Sequence, residues 1–278
     1  MRAKKSLGQN FLQDEKIIEK IISTFSPHEK EIVLEIGPGE GVLTEKLAVS
    51  GAYVIAIEID ERCVFSLKKK FESFENVDII HGDILQSNIG EIIKKRCEKL
   101  GISMEEGEIP YRVIGNLPYY ITSAIIRMFL ELKQGPSQMF FMVQREVADR
   151  ICAIPGDMSI LSVAVQYFSQ PEILFIVPKE SFYPIPKVES AFIYLKKSFF
   201  FQEENFVEED EKIFFRLVKI GFSARRKTLV NNISNGLHRE KKDIEKILQD
   251  LQMSLTIRPQ NIEVREWGIL MEKLKKFL

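Results

Sequence analysis

After an apolar β-rich run ending at Ile114, the chain reads Gly115-Asn116-Leu117-Pro118-Tyr119-Tyr120, a set of residues able to hold and activate an aromatic amine. The Asn116 side-chain carbonyl and the Leu117 backbone carbonyl are hydrogen-bond acceptors. Pro118 fixes the backbone where it leaves the preceding strand. Tyr119 offers a ring on which a flat base can stack, a contact worth about 1 to 3 kcal/mol. The exocyclic amine of adenine is a poor nucleophile because its lone pair is delocalised into the ring. Acceptors aimed at its two protons favour the pyramidal form that can attack an alkyl donor. With a sulfonium donor the positive charge is lost as the methyl leaves and the proton departs afterwards, so no strong general base is needed. Asn-x-Pro turns also end strands for backbone reasons alone, but that explanation leaves two adjacent tyrosines without a task.

A second constellation lies upstream. Glu35-Ile36-Gly37-Pro38-Gly39-Glu40-Gly41 follows a strand and leads into a helix, where glycines let the backbone approach a ligand closely. The G-x-G-x-G spacing is not the dinucleotide G-x-G-x-x-G, and Glu40 would oppose a pyrophosphate. A zwitterionic ligand fits better than a nicotinamide dinucleotide. The next strand ends at Glu58, where a nucleoside site needs a carboxylate for both ribose hydroxyls. The third runs into Asp83, placed to accept from an adenine amino group, with Ile84 lining the ring; Ile59, beside Glu58, is counted with the same pocket. Taken singly, such acids often cap helices or end strands, but three in register on successive strands favour a nucleoside pocket. Asp60 is assigned to capping the helix that starts at Glu61.

The elements that must position these residues follow a βα pattern. Strands are expected at Ile32–Ile36, Tyr53–Ile57, Val77–Ile80, Tyr111–Ile114 and Met139–Val143, with helices at Val42–Val49, Glu61–Phe74, Ile89–Leu100 and Ser123–Leu132 between them. That alternation predicts a mostly parallel sheet covered by helices on both faces. Two further strands, Ile173–Val177 and Ala191–Leu195, flank the proline-rich turn Phe182-Tyr183-Pro184-Ile185-Pro186 and suggest an antiparallel edge. After an acidic stretch from Gln202 to Glu211 the pattern is purely helical, at Lys212–Ile220, Arg226–Ile233, Lys241–Leu251 and Val264–Phe277. The expected division is a Rossmann-like α/β domain over 1–200 and a small all-α domain over 201–278.

Composition sets the outer bounds. The 278 residues include 45% hydrophobic ones, and 39 Lys and Arg stand against 40 Asp and Glu. Bulk charge therefore announces no polyanion, and any nucleic-acid surface must come from segregated charge. Between Lys212 and Lys246 ten Lys and Arg face three acids, with Arg225-Arg226-Lys227 as the densest run, which suits phosphate contacts. Cys63, Cys97 and Cys152 have neither disulfide-framework nor zinc spacing, and His28, His81 and His238 have no ligand spacing, so no metal is expected. No segment has the roughly 18 apolar residues of a membrane span or the apolar core of a signal peptide. A soluble, cytoplasmic and monomeric protein is expected.

At this point the residues resemble those of the ribosomal RNA adenine dimethyltransferases, specifically the KsgA/RsmA type acting on small-subunit RNA. The resemblance spans essentially the whole chain. Lys5-Ser6-Leu7-Gly8-Gln9-Asn10-Phe11-Leu12 looks like the family's opening motif, implying that Asn10 and Leu12 help to close over the methyl donor. The run Glu35 to Gly41, Glu58, Asp83 and Asn116 to Tyr119 matches the family's cofactor and catalytic motifs. These imply a class I methyltransferase domain using S-adenosylmethionine, with Asn116 shared between donor and acceptor. Phe182 to Ser190 is similar to the family's late loop, implying that Phe182 walls the target base opposite Tyr119. Phe222-Ser223-Ala224-Arg225-Arg226-Lys227-Thr228-Leu229 resembles the basic motif of its helical domain.

The resemblance implies dimethylation of two adjacent adenosines near the 3′ end of 16S rRNA, within small-subunit biogenesis. Two alternatives stay open: dimethylation of a 23S rRNA adenosine, as in antibiotic resistance, and a non-catalytic RNA-binding assembly factor. The second predicts decay at a cofactor or catalytic position, whereas Gly37, Glu58, Asp83, Asn116 and Tyr119 are all present. A hydride-transfer enzyme is disfavoured by the glycine spacing. The Glu-rich segment Lys99–Pro110 receives no role.

Overall fold

The computed structural model describes residue 4 and residues 7–102, 111–132, 134–198 and 208–278. Lys5 and Ser6 of the opening motif, residues 103–110 of the Glu-rich segment and residues 202–207 of the acidic stretch lie outside the described residues.

The chain runs β1 (Phe11–Leu12), α1 (Glu15–Phe25), β2 (Ile32–Ile36), α2 (Val42–Val49), β3 (Tyr53–Glu58), α3 (Glu61–Lys70), β4 (Val77–His81), α4 (Ile89–Leu100), β5 (Tyr111–Asn116), α5 (Thr122–Glu131) and β6 (Gln138–Gln144). It continues through α6 (Arg145–Ile151), α7 (Ile160–Phe168), β7 (Ser169–Val177), β8 (Phe182–Tyr183) and β9 (Ser190–Lys197). The rest is helical: α8 (Glu208–Gly221), α9 (Leu229–Leu237), α10 (Lys241–Asp250) and α11 (Val264–Leu274).

Seven strands form one sheet in the order β4-β3-β2-β5-β6-β9-β7. The first five in that order pair in parallel, and β9 returns antiparallel to β6, Gln144 opposite Ser190. The expected antiparallel edge is therefore present. All five residues of β2 are buried, which explains why, Glu35 apart, its sequence is apolar without alternation.

The topology fixes where a ligand can enter. From β2 the chain steps outward through β3 to β4, then returns to β5 on the other side of β2. The carboxyl ends of β2 and β5 thus flank a topological switch point, the place where an open α/β sheet leaves a crevice. Gly37 and Asn116 stand on its two sides.

Two compact units result, one of Met1–Ala148 with Pro171–Lys197 and one of Asp149–Gln170 with Ser198–Leu278. This differs from a simple boundary near residue 200, because residues 149–170 go with the helical unit. The reason is burial: Val163 and Tyr167 of α7 share a core with Phe214, Leu217 and the fully buried Trp267. α7 starts at a capping box in which Ser159 and Ser162 each satisfy the other's backbone N–H. In the first unit Ile18, Ile21 and Phe25 of α1 pack with Val33, Leu47, Val54, Phe140 and Phe192. α1 begins at Asp14, whose carboxylate accepts from the N–H groups of Lys16 and Ile17, the cap expected from sequence.

Candidate functional site

The cleft at the switch point is lined from four directions: by the amino-terminal segment Leu7–Leu12, by Glu35 to Glu40, by Glu58, Ile59, Asp83 and Ile84, and by Asn116 to Ile121. Gly37 and Gly39 both lie in the left-handed region, at φ 64° and 58°. A Cβ on Gly39 would stand 2.9 Å from the Phe11 ring, so the turn needs glycine both for its backbone and for that contact.

Glu58 is 5% exposed. Its Oε2 accepts from the Gly39 N–H at 3.1 Å and its Oε1 from the Asp60 N–H at 2.9 Å. Each oxygen keeps a lone pair for another donor, which is what two vicinal ribose hydroxyls require. Burial raises its pKa above the ordinary glutamate value, against the pull of these backbone bonds. Asp83 accepts from the Leu85 N–H at 3.0 Å and from Gln86 Nε2 at 2.9 Å, which fixes its carboxylate in the turn after β4. Ile84 is buried and Ile59 is half exposed.

Glu35, which sequence reasoning included in the glycine loop without a task, is 2% exposed and accepts a 2.6 Å bond from Thr44 Oγ1. Burial drives its pKa up to about 7, opposed by the Thr44 hydroxyl and assisted by repulsion from Glu58. Four acids therefore line the cleft, and the described lining residues include neither Lys nor Arg. Such a cleft repels a pyrophosphate and favours a cationic nucleoside.

The raised Glu35 pKa predicts a pH dependence. Between the unfolded value of 4.5 and the folded value of about 7, the unfolded chain gives up the proton that the folded chain keeps. This group's contribution is thus complete below the lower value and is lost as pH rises through the higher one. Glu35→Gln should show a smaller decline in urea midpoint across that window than the wild type. Parallel curves for the two proteins would contradict a raised pKa.

On the opposite wall Asn116 Nδ2 donates to the Asn10 backbone carbonyl at 2.9 Å. The amide is thereby turned so that its Nδ2 end is committed and its Oδ1 end remains as an acceptor. The Leu117 N–H donates to the Met142 carbonyl at 3.1 Å, and the Pro118 carbonyl accepts from the Ile121 N–H and from Thr122 Oγ1. These bonds hold the peptide planes of the motif. The Tyr119 hydroxyl lies 3.0 Å from Ser190 Oγ, and burial raises the phenol pKa. It stays neutral, so the ring is a platform rather than a base. Tyr120 is 62% exposed.

The amino-terminal segment is held by structure that the sequence did not reveal. β1 pairs antiparallel with β8, Phe11 opposite Tyr183 and Leu12 opposite Phe182. The Phe11 ring joins Cys63, Leu67 and Phe71 in a small core, while Leu12 packs with α1 and β2. Asp60 does cap α3 by accepting from the Arg62 N–H, as expected, but it also accepts from Lys4 Nζ at 3.1 Å and Gln9 Nε2 at 3.0 Å.

For Phe182 the structure differs from the expectation of a base-stacking wall. Its pairing with Leu12 carries it inward, it is 3% exposed, and it belongs to the core beneath β1. The exposed aromatic at this turn is Tyr183, at 58%. Arg225, Arg226 and Lys227 lie between a short 3-10 turn at Phe222–Ala224 and α9, and all three are exposed.

Comparisons with known proteins follow the same lines. A family model described as ribosomal RNA adenine dimethylase matches residues 1–266. A protein named ribosomal RNA small subunit methyltransferase A from Dehalococcoides mccartyi is 37% identical over 270 residues, covering 97% of this chain and 88% of that protein. One of the same name from Listeria monocytogenes is 38% identical over 281 residues, covering 99% and 92%. Among solved structures, a dimethyladenosine transferase from Plasmodium falciparum aligns with a TM-score of 0.77 at 26% identity, over 96% of this chain and 98% of that one. The 23S rRNA methyltransferase ErmE shares the fold, with a TM-score of 0.72 at 24% identity over 96% of this chain and all of its own, 100%.

Proposed function

The chain belongs to the ribosomal RNA adenine dimethylase family, and from that premise we propose that it transfers methyl groups from S-adenosylmethionine to the exocyclic amines of two adjacent adenosines near the 3′ end of 16S rRNA. The small-subunit assignment draws on relatives that carry that name at 37% and 38% identity over nearly the whole chain. The protein would act as a monomer on small subunits in the cytoplasm. Among the described residues no helix is long and apolar enough to cross a membrane.

The observation that carries the chemistry is the pairing of a cleft whose charged lining residues are all acids with an Asn116 amide whose Oδ1 end is kept as acceptor. The cleft fits a sulfonium nucleoside: Glu58 takes the ribose hydroxyls, Asp83 with Ile59 and Ile84 takes the adenine, Gly37 and Gly39 admit the amino-acid portion, and Asn10 and Leu12 cover it. When bound, the donor supplies an electrophilic methyl and loses its positive charge as that methyl leaves.

The chain's own residues prepare the acceptor. Asn116 Oδ1 and the Leu117 carbonyl accept from the two amine protons, which localises the nitrogen lone pair. Pro118 and the Thr122 bond keep those acceptors in place. The Tyr119 ring carries the extruded base, its orientation set by Ser190. Arg225, Arg226 and Lys227 contact RNA phosphates in the helical unit.

The test incubates the protein with isotopically labelled methyl donor and under-methylated small or large subunits, then maps modified nucleosides by mass spectrometry. Dimethyladenosine is expected at two neighbouring positions near the small-subunit RNA 3′ end. Label confined to large-subunit RNA would overturn the substrate assignment.

A further inference from the structure

We infer that Gln9 and Asp60 are positioning residues for methyl transfer: they latch the amino-terminal segment so that the Asn10 carbonyl decides which end of the Asn116 amide faces the acceptor amine. The inference rests on the methyl-transfer reading above and adds to it a device outside the acceptor site.

The two ends of an asparagine amide are nearly the same size, so packing alone selects its orientation poorly. Only the oxygen end can activate an amine; the NH₂ end would point donors at its protons. At the observed 2.9 Å separation, turning the amide over would set two carbonyl oxygens against each other with no proton between them. With the amino-terminal segment seated, one orientation is therefore favoured. With it displaced, that preference goes.

What seats the segment beside Asn10 is Gln9. Its Nε2 donates to Asp60 Oδ2 at 3.0 Å and its Oε1 accepts from the Lys4 backbone N–H at 2.8 Å. Asp60, only 1% exposed, takes in addition Lys4 Nζ at 3.1 Å and Arg62 Nη2 at 2.6 Å. The Arg62 N–H and guanidinium bonds to Asp60 stay within the start of α3; those from Gln9 and Lys4 tie the segment down. The Asp60 N–H meanwhile donates to Glu58 Oε1. One short run, Glu58 to Asp60, thus joins the ribose carboxylate to the latch. On the far side of Asn10, the Phe11 ring in its socket of Cys63, Leu67 and Phe71 completes the hold.

A charge-swapped pair separates this role from general stability. Gln9→Glu keeps the acceptor for Lys4 but sets a carboxylate against Asp60. Asp60→Asn keeps the helix cap, since Asn and Asp cap equally well, and supplies a donor to a carboxylate at position 9. Gln9→Glu is expected to speed amide hydrogen exchange across residues 7–12 and to lower kcat about tenfold, with S-adenosylhomocysteine affinity by calorimetry changing less than about threefold. Adding Asp60→Asn should restore both exchange protection and most of kcat.

Unchanged exchange in Gln9→Glu would overturn the latch. Faster exchange with kcat intact would overturn the positioning role, as would a loss confined to donor affinity, which describes a cover for the donor and nothing more. Should the wild type leave small subunits unmethylated, the substrate reading fails by itself, and the exchange experiment still decides the latch.

Discussion

Asn116→Ala is expected to lower kcat about 100- to 1000-fold, the range seen when one preoriented polar group is removed from a reacting centre, while leaving the fold intact. The substitution removes Oδ1, the proposed acceptor for an amine proton, and Nδ2, the group bonded to Asn10. The Leu117 carbonyl stays, because it belongs to the Leu117–Pro118 peptide, which the proline restrains, and not to the Asn116 side chain. One acceptor of two therefore survives, which is why residual activity above background is expected. Donor affinity should fall by about tenfold at most, since Asn116 contributes one of many lining groups. Single-turnover methylation of under-methylated subunits, beside calorimetric titration with S-adenosylhomocysteine, checks both halves. Wild-type kcat in the variant would remove Asn116 from the chemistry.

The central sheet was legible from sequence because its strands are short apolar runs separated by helices of clear period. β2 spans Ile32–Ile36 as expected, and the glycine loop, Glu58 and Asp83 follow strand ends in successive βα units. Once the strand order reverses at β2 and β5, those residues meet at one crevice without further assumption. The half of the cleft proposed to take the donor is legible for the same reason.

What escaped sequence reasoning lacks periodicity. β1 and β8 are two residues each, too short for any alternation, and they pair across nearly the whole α/β unit. Their pairing is what buries Phe182 and brings Asn10 to Asn116. The second task of Asp60 was hidden by its first, because a helix cap already accounts for an aspartate before Glu61. α7 was hidden by its composition. Ile160–Phe168 is apolar on most sides, and a run of that kind does not declare helix or strand. Its partner core, around Trp267, lies far along the chain.

Glu58→Ala should weaken donor binding about 100-fold, as expected for losing two charge-assisted hydrogen bonds of about 1.5 to 3 kcal/mol each, partly replaced by water. The more instructive variant is Glu58→Gln, which is close to isosteric. Both carboxylate oxygens already accept a backbone N–H, from Gly39 and Asp60. An amide in that place must turn its NH₂ toward one of those donors, leaving a buried N–H unsatisfied in the glycine loop or at the latch. Glu58→Gln should therefore bind S-adenosylhomocysteine nearly as poorly as Glu58→Ala, where an exposed ribose carboxylate would tolerate the change. Burial holds the Glu58 pKa above the ordinary glutamate value, so wild-type affinity should decline as pH falls through that raised value, and the decline should be absent in both variants. Calorimetry across the acidic range measures all three proteins in one design. A Gln variant that binds like wild type would mean that Glu58 meets the ribose through neither a charge nor two oriented oxygens.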